Sequence, residues 1–454
     1  MSDRYTGANA TIIGLAREGT ALARYLAGLG ARVTVSDLRP PSELGPALRQ
    51  IADLPIHLVL GVNRVEDAVQ ADALFLSPGV PLNTPVVKAA QAAGVPIVSE
   101  PLLFCERCPA PIVGVTGSSG KSTTTSLIGE MLRGGPHRVW VGGNIGVPLI
   151  GYLDAITPND RVVLELSSFQ LALFNRSPAI AVVTNLSPDH LDRHASLEEY
   201  YEAKRNIVRF QQPGNVAILN RDDPNVVRFA DGPLSEIRWF SLKEPVERGA
   251  YLAGNALWLS VGEPRKLVDV TELKLVGRHN VANALAAALA AEAAGASDDA
   301  IRTALRSFSG IKHRLEIVKE LDGVVYVNDS ISTSPARAIA ALESFERPVI
   351  WLAGGRSKRL PIGELVTVAA RRVKRAVIYG EDGPALCAGL VAAGLSSVDE
   401  CDSFEGAVRR AIEAAEPGDV VLLSPACASF DQFRDYEERG EAFRDLVRRM
   451  TEER

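Results

Sequence analysis

Residues 114–125, GVTGSSGKSTTT, lie between an apolar run, APIV, and an apolar-periodic one, SLIGEML. A glycine-rich turn between a strand and a helix, closing on Lys-Ser-Thr-Thr, is the pattern of a phosphate-binding loop. The loop is short by the standard spacing, because Val115 stands where the first glycine belongs. Gly117 and Gly120 let the backbone turn its amides toward an anion, at the positive end of the helix that follows. Lys121 is placed to reach the terminal phosphates and Ser122 to offer a hydroxyl to Mg²⁺. A Gly/Ser turn that merely caps a helix is the bland alternative. The Lys-Ser-Thr-Thr run directly after strand and glycine makes nucleotide binding the stronger reading.

Outward from this loop the chain reads as three strand–helix segments. The first hundred residues alternate NATIIGL, GTALARYLAGLG, ARVTVSD, ADALFLSPG, NTPVVKAAQAAG and VPIVSE, as a parallel, helix-flanked sheet would. EPLLFCERCPAP, with three prolines, reads as a linker. The loop then opens a second segment, with strands expected at RVVLEL, AIAVVTNL and NVAILN, a β-rich excursion around IRWFSL and ALWLS, and an Ala-rich helix after GRHN. A third segment starts near GIKHRLE and alternates again through GVVYVNDS, PVIWLAGG, RAVIYG and DVVLLSP. Ligands of such sheets bind just past the carboxyl ends of strands. Those ends carry Asn328, Asp329, Gly354, Gly355 and Ser424.

The bulk composition narrows the class. At 454 residues the chain is too long for one ordinary core, so two or three domains are expected. A net charge of -6 argues against nucleic acid as a partner, which a basic patch would serve. The longest apolar candidate, VANALAAALAAEAAGA, is interrupted by Asn283 and Glu292, so no membrane span is expected. The start, MSDRYTGANATIIGL, has neither the charged segment nor the cleavage site of a signal peptide. Five cysteines, an odd number, fit reduced thiols in a cytoplasm. Cys105 and Cys108 form a lone Cys-x-x-Cys with no second pair to complete a zinc site.

Two further motifs carry chemistry. LELSSFQL puts Glu165 at the end of a buried strand, where a carboxylate is costly unless paired or bound to metal. A structural ion pair rivals that role, but proximity to the nucleotide loop favours metal. NLSPDHLDRH gathers Asp189, His190, Asp192 and His194 after another strand. Alone, such a cluster is usually a solvated helix start; beside a nucleotide site, a His as ligand becomes plausible.

TGSSGKST, GGNIGVP, LELSSFQL, NLSPDHLDRH, GRHNVANALAA, HRLE, VNDS and LLSPACASFDQF occur in the order seen in the Mur ligases of peptidoglycan synthesis. The chain resembles that family over essentially its whole length, and the shortened phosphate loop is the form the family uses. ELSSFQL with SPACASFDQF is similar to the branch that adds D-glutamate to UDP-N-acetylmuramoyl-L-alanine. The resemblance implies an α/β protein of three domains: a Rossmann-like UDP-binding domain (1–104), a central P-loop ATPase-like domain (105–309) and a Rossmann-like amino-acid-binding domain (310–454). It implies a cytoplasmic monomer. It also implies an ATP-dependent ligation in which the alanine carboxylate becomes an acyl phosphate that the amine of glutamate attacks.

Carried over by position, the resemblance implies that Gly117, Ser118, Ser119, Gly120, Lys121, Ser122 and Thr123 cradle the ATP phosphates, with Lys121 on the γ-phosphate. Ser122 and Glu165 correspond to ligands of the Mg²⁺ on ATP. His190 and Lys204 correspond to a second metal site, where the family lysine is carboxylated by CO₂. From the residues alone, Lys204 in YYEAKRNIV reads as a surface position. Asn280 corresponds to an adenine contact, Arg314 to a phosphate contact and Asp329 to a ribose contact. Leu15, Ala16, Arg39, Gly79 and Asn144 correspond to contacts with the sugar nucleotide. Thr333, Lys358, Ser429, Phe430 and Tyr436 correspond to the glutamate site.

Three departures stand out. NDSISTSP puts Ile331 where the family has a lysine, GGRSK keeps Lys358 but puts Arg356 in place of an acid, and GLAREG replaces a Gly/Ser-rich turn. They leave L-glutamate or another amino acid as an alternative substrate. Other readings are weaker. A dinucleotide-binding module would use Gly14 and Asp37, about 20 residues apart, but lacks the glycine triplet. A folylpolyglutamate synthetase-like ligase would lack the first hundred residues, and a non-catalytic ligase-like subunit would have no use for Lys121, Glu165, His190 and Lys204.

Overall fold

The computed structural model describes residues 3–188, 193–232, 234–275, 277–358 and 360–452. The chain divides into two compact units, Met1–Phe308 and Ser309–Arg454. The first unit contains two sheets. Strands β1 (Asn9–Ile13), β2 (Arg32–Asp37), β3 (His57–Leu60), β4 (Ala73–Leu76) and β5 (Ile97–Val98) form a parallel sheet in the order β3-β2-β1-β4-β5. Side chains alternate between its faces. Ile12 and Phe75 enter one core, while Ile13, Leu74 and Leu76 enter another with Val86, Val87 and Ala90 of the helix Pro85–Ala92. The chain winds outward from β1 on one side and from β4 on the other. The crevice of this sheet therefore opens between the carboxyl ends of those two strands.

The second sheet comprises β6 (Ile112–Thr116), β7 (Val139–Gly143), β8 (Arg161–Glu165), β9 (Ile180–Val183), β10 (Val216–Asn220), β11 (Glu236–Ser241), β12 (Gly249–Ala253), β13 (Ala256–Ser260) and β14 (Arg265–Asp269). Their order is β14-β13-β12-β11-β10-β9-β6-β8-β7, parallel except at the β12–β13 and β13–β14 pairs. The helix Lys121–Arg133 starts at the loop after β6 and shares a core with the Ala-rich helix Arg278–Ala293. Ala284, Ala286, Ala287, Ala288, Ala290 and Ala291 are all buried, so that helix is apolar around its circumference, as a central helix must be.

The stretch read as a linker is instead a helix, Glu100–Arg107, with Leu102, Leu103 and Phe104 buried. Its proline, Pro101, falls in the first turn, where a missing N–H costs nothing, and the Ser99 hydroxyl caps Leu102 N–H. All five cysteines are free thiols.

The second unit is built on β15 (Glu316–Leu321), β16 (Val324–Asn328), β17 (Val349–Gly354), β18 (Val373–Tyr379), β19 (Val398–Cys401) and β20 (Val420–Ala426), in the order β15-β16-β20-β17-β18-β19. Only β15, at the edge, runs antiparallel to its neighbour. Apolar cores cover both faces: Trp351 enters one, and Ile350 and Leu352 the other. Adjacency of β16, β20 and β17 brings the ends carrying Asp329, Ser424 and Gly354 side by side.

Six strands escaped the sequence reading: β3, β7, β12, β14, β15 and β19. Five of them are sheet edges, half open to solvent, and their apolar pattern is correspondingly broken. The sixth, β12, starts at Gly249, where a Cβ would lie 1.7 Å from the Trp239 carbonyl oxygen.

Candidate active site

The phosphate loop follows β6 and is tied at almost every residue. Gly117 has φ +148°, and a Cβ there would sit 1.9 Å from Thr184 Oγ1. Gly120, at the helix N-cap, has φ +80° and would meet Asn283 Oδ1 at 2.3 Å. Only glycine fits either place. The Ser119 amide donates to Asn185 Oδ1 (2.9 Å), the Ser119 carbonyl accepts from Thr184 Oγ1 (2.6 Å), and the Ser118 amide donates to the Asn185 carbonyl (2.9 Å). Lys121 Nζ folds back to the carbonyls of Gly117 (2.9 Å) and Ser118 (3.0 Å). Ser122 is buried in the first helical turn, followed by Thr123. The sequence reading missed Thr184 and Asn185 as the loop's anchors and Asn283 as the side chain packed against Gly120. Asn185 opens the quoted NLSPDH motif, and Asn283 is a buried amide in an apolar helix, hydrogen-bonded to Asn280 Oδ1 (3.1 Å).

Glu165 ends β8, next to β6, and is 1% exposed. Its Oε1 accepts from Asn144 Nδ2 (2.6 Å), and its Oε2 is buried with no hydrogen-bond partner. An unpartnered carboxylate oxygen on the strand paired with the one that carries the phosphate loop, and the Ser122 hydroxyl in the helix turn that closes the loop, are the hard-oxygen donors that Mg²⁺ takes. Among the described residues no group of three or more His, Cys, Asp or Glu could hold a metal by itself. His190, Asp189 and Asp192 lie outside the described residues.

Lys204 corrects the surface reading: it is 2% exposed. The helix Leu197–Arg209 turns Tyr200, Tyr201, Ala203, Lys204, Ile207 and Val208 into the protein, so a lysine at this phase is buried whatever its polarity. Its Nζ donates to the Gly117 carbonyl (2.8 Å) and lies 4.7 Å from the Tyr200 ring centroid. The Tyr200 hydroxyl is 3.0 Å from Ser118 Oγ. The helix is thus joined to the phosphate loop at two points, Lys204 on Gly117 and Tyr200 on Ser118. His194 stacks on Phe169 (5.0 Å, 6°), with Nε2 3.0 Å from Ser168 Oγ, and so braces this helix against LELSSFQL.

At the crevice of the first sheet the expected sugar-nucleotide residues gather around Asp37. Asp37 Oδ2 accepts from the Leu15 amide (2.7 Å) and Arg39 Nη2 (2.7 Å), and Oδ1 from the Arg39 amide and Nε (both 2.9 Å). Burial pushes this carboxyl up, but the Arg39 and Leu15 hydrogen bonds outweigh it and hold the group below its ordinary value. A carboxylate so saturated has no lone pair pointed at a ribose, which removes the support for the dinucleotide reading. Ala16 and Gly79 are exposed on the two flanks of the crevice, and Ser77 Oγ closes its floor by donating to the Gly14 carbonyl (2.7 Å). Asn144 is exposed in the loop after β7.

In the second unit, Lys358 Nζ donates to Thr333 Oγ1 (2.8 Å), which unites two of the expected glutamate contacts. Burial, then the charges of Arg337 and Arg439, lower the Lys358 ammonium below its ordinary value. The GGRSK segment is zipped to the ACASF segment by paired Arg356 and Ala428 backbone hydrogen bonds (3.0 and 2.9 Å). Ser429 is buried and Phe430 is 63% exposed. The Tyr436 ring stands edge-on to His313, with its hydroxyl donating to Glu437 (3.2 Å). Arg356, the departure, pairs with Glu381 in solvent (2.7 Å). Ile331 donates its amide to the His313 carbonyl (3.0 Å). Asp329 is buried, with Oδ2 accepting from Ser424 Oγ (2.8 Å) and Oδ1 from the Leu315 amide (3.2 Å). Burial raises its carboxyl to about 6 against those hydrogen bonds. Arg314 is exposed between His313 and Leu315, both at positive φ. Sequence reading missed Arg439, fully buried, whose guanidinium donates to Ser330 Oγ (3.0 Å), the Ser330 carbonyl (2.9 Å) and the Cys427 carbonyl (3.2 Å).

Three family profiles match the chain: Mur ligase MurD-like, N-terminal domain, over residues 8–99; Mur ligase middle domain over 115–291; and Mur ligase, glutamate ligase domain, over 313–427. The UDP-N-acetylmuramoylalanine–D-glutamate ligase of Symbiobacterium thermophilum is 43% identical over 446 residues, spanning 97% of this chain and 98% of its own. That of Roseiflexus sp. is 43% identical, spanning 98% and 99%. Among solved structures, the UDP-N-acetylmuramate-alanine ligase MurC of Thermotoga maritima aligns with TM-score 0.54 at 19% identity, covering 98% of this chain and 100% of its own. The pseudomurein peptide ligase type C of Methanothermus fervidus gives 0.51 at 20%, covering 97% and 100%. These two establish likeness of fold.

Proposed function

The chain belongs to the Mur ligase family, and from that premise we propose that it joins D-glutamate to UDP-N-acetylmuramoyl-L-alanine. It is an ATP-dependent ligase of peptidoglycan precursor synthesis. The observation that carries this reading is near-full-length identity of 43% to ligases of that name, in a chain whose phosphate loop, Glu165 and buried Lys204 adjoin one another.

The alanine carboxylate is a poor electrophile. Its oxygen attacks the γ-phosphorus of ATP, an O–P bond forms, and ADP leaves. The amine of D-glutamate then attacks the activated carbonyl carbon, inorganic phosphate departs, and the nitrogen loses a proton. Both steps bring anions together, so charge compensation, rather than covalent protein chemistry, is what the enzyme supplies. Gly117, Ser118, Ser119, Gly120 and Thr123 cradle the phosphates, Ser118 and Ser119 fixing the loop through amides held by Asn185, and Lys121 exchanges its loop carbonyls for phosphate oxygens. Ser122 and Glu165 would hold one Mg²⁺, and Lys204, carboxylated on Nζ, would hold a second with His190. Bound there, the metals act as Lewis acids on phosphoryl oxygens. The role requires that carboxylation, because a bare ammonium repels a cation, whereas a carbamate offers it an anionic oxygen.

Leu15, Ala16, Arg39, Gly79 and Asn144 take the sugar nucleotide, Asn280 the adenine, Arg314 a phosphate and Asp329 the ribose. Lys358 pairs with a glutamate carboxylate, with Thr333, Ser429, Phe430 and Tyr436 around it. We place the reaction in the cytoplasm, where ATP is supplied, and assign it to a monomer. No described helix is long and apolar enough to cross a membrane. Phosphate release with UDP-N-acetylmuramoyl-L-alanine, against a panel of D- and L-amino acids, tests the reading. D-Glutamate should be fastest; release with none of the panel, or faster release with L-glutamate, overturns it.

A further inference from the structure

The departure GLAREG in the sugar-nucleotide turn has a structural counterpart. Arg17, at the first position of the helix Arg17–Gly28, extends its guanidinium to the loop after β7, donating to the main-chain carbonyls of Asn144 (Nη2, 3.2 Å) and Gly146 (Nη1). That loop is held on its other side by Glu165. The Asn144 amide donates to the Glu165 carbonyl (2.8 Å), and Asn144 Nδ2 donates to Glu165 Oε1 (2.6 Å). Gly143, at φ +96°, permits this approach, since a Cβ there would lie 2.4 Å from the Glu165 carbonyl oxygen. The neighbouring Glu18 repeats the pattern. Its Oε1 accepts from Gln170 Nε2 (2.6 Å), and Gln170 Oε1 accepts from the Ser167 amide (2.9 Å), capping the short helix Ser168–Leu171. Two consecutive residues, Arg17 and Glu18, therefore reach the loop after β7 and the segment after β8, the strand paired with β6.

We propose that Arg17 is a positioning residue for phosphoryl transfer: through Asn144 it sets the direction in which Glu165 presents its free carboxylate oxygen. The proposal rests on the metal role assigned to Glu165 above. Asn144 Nδ2 occupies Oε1 and leaves Oε2, the buried oxygen without a partner, as the one available to a cation. Asn144 sits in an exposed loop, and Arg17 ties that loop, at Asn144 and Gly146, to the start of the helix after β1. Without it the carboxylate keeps its charge but loses a fixed orientation, and a hard cation that tolerates little angular error is bound less well.

The test measures ADP affinity calorimetrically with and without Mg²⁺, alongside turnover. Arg17→Ala should leave affinity in EDTA unchanged, cut the Mg²⁺-dependent gain at least threefold, and lower kcat about tenfold. Arg17→Lys should restore most of both, because an ammonium can still donate to a carbonyl. In an Asn144→Ala background, Arg17→Ala should change neither quantity more than twofold. Arg17→Met, which keeps the stem and removes the donors, replaces alanine if that variant melts lower. A wild-type Mg²⁺-dependent gain in Arg17→Ala and Arg17→Met overturns the proposal. So does an undiminished effect in the Asn144→Ala background, or a loss confined to sugar-nucleotide affinity. A wild-type enzyme that binds Mg·ADP but consumes no ATP with the two substrates fails the functional reading instead, and is distinguished by that result.

Discussion

The phosphate loop and the pocket proposed for glutamate are built by opposite means. The loop is backbone, shaped by two glycines that no other residue can replace, pinned by Thr184 and Asn185, with Asn283 packed against Gly120. The pocket is side chains: Lys358 on Thr333, brought there by the zipped Arg356 and Ala428 segments and by the buried Arg439. Phosphate recognition by amides needs one contiguous stretch of chain. Recognition of an amino acid by charge needs groups from three stretches, and tolerates exchange wherever the fold delivers the same ammonium. Two of the three departures follow this division. Ile331 and Arg356 lie in the pocket's segments, while the loop keeps its glycines, Lys121 and Ser122.

If the loop is the rigid, charge-compensating half, Lys121→Ala should lower kcat by roughly a thousandfold or more. Affinity for the sugar nucleotide should stay within a factor of about two, because 1.4 kcal/mol is a decade and no contact is lost there. Turnover near wild type would break the comparison at its strongest point. Lys204→Ala comes next, with a loss of roughly a hundredfold or more in kcat. A short-chain carboxylate added to the assay should recover part of the loss by supplying the missing anionic oxygen. Absence of rescue, with Mg·ADP binding intact, would leave Lys204 as a brace for Gly117 only.

The pocket should respond more gently. Lys358→Ala should raise the KM for D-glutamate by about tenfold or more, since a charge-assisted hydrogen bond contributes ~1.5–3 kcal/mol. The KM for ATP should hardly move. A proportional rise in both constants would show that the lysine belongs to the nucleotide half.

The smallest effect concerns stability. Glu18 is buried, and desolvation raises its carboxyl to about 7; Glu100, buried nearby, is raised to about 8 by its own burial and by Glu18. Both values lie above that of an unfolded carboxyl, so the folded state holds protons that the unfolded state releases. The stability they contribute is full below pH about 4.5 and is lost as pH rises through about 7 to 8. Glu18→Gln should therefore raise Tm by about 2 °C or more at pH 8.5 and leave it unchanged at pH 4.5. Equal shifts at both pH values would assign the effect to packing.

What could be read along the chain divides on the same physical line. Alternation of apolar strands with helical patterns was enough for three strand–helix segments, because a sheet covered on both faces demands continuous apolar strands at its centre. Edge strands such as His57–Leu60 and Val398–Cys401 carry no such demand and were not legible. The phosphate loop was legible because its chemistry is local. Lys204, by contrast, reads as a surface lysine until the helix Leu197–Arg209 is docked and its phase buries the ammonium against Gly117 and Tyr200. Glu100–Arg107 reads as a linker until Pro101 is seen in a first turn, where proline breaks nothing. Arg439 gives no local sign at all, and becomes a pocket-building residue only when Ser330 and Cys427 converge on its guanidinium. Local backbone geometry and apolar period are properties of neighbours in sequence, and the sequence determines them directly. Burial of a charge, and the partner that makes it tolerable, are properties of neighbours in space, and only the tertiary structure decides those.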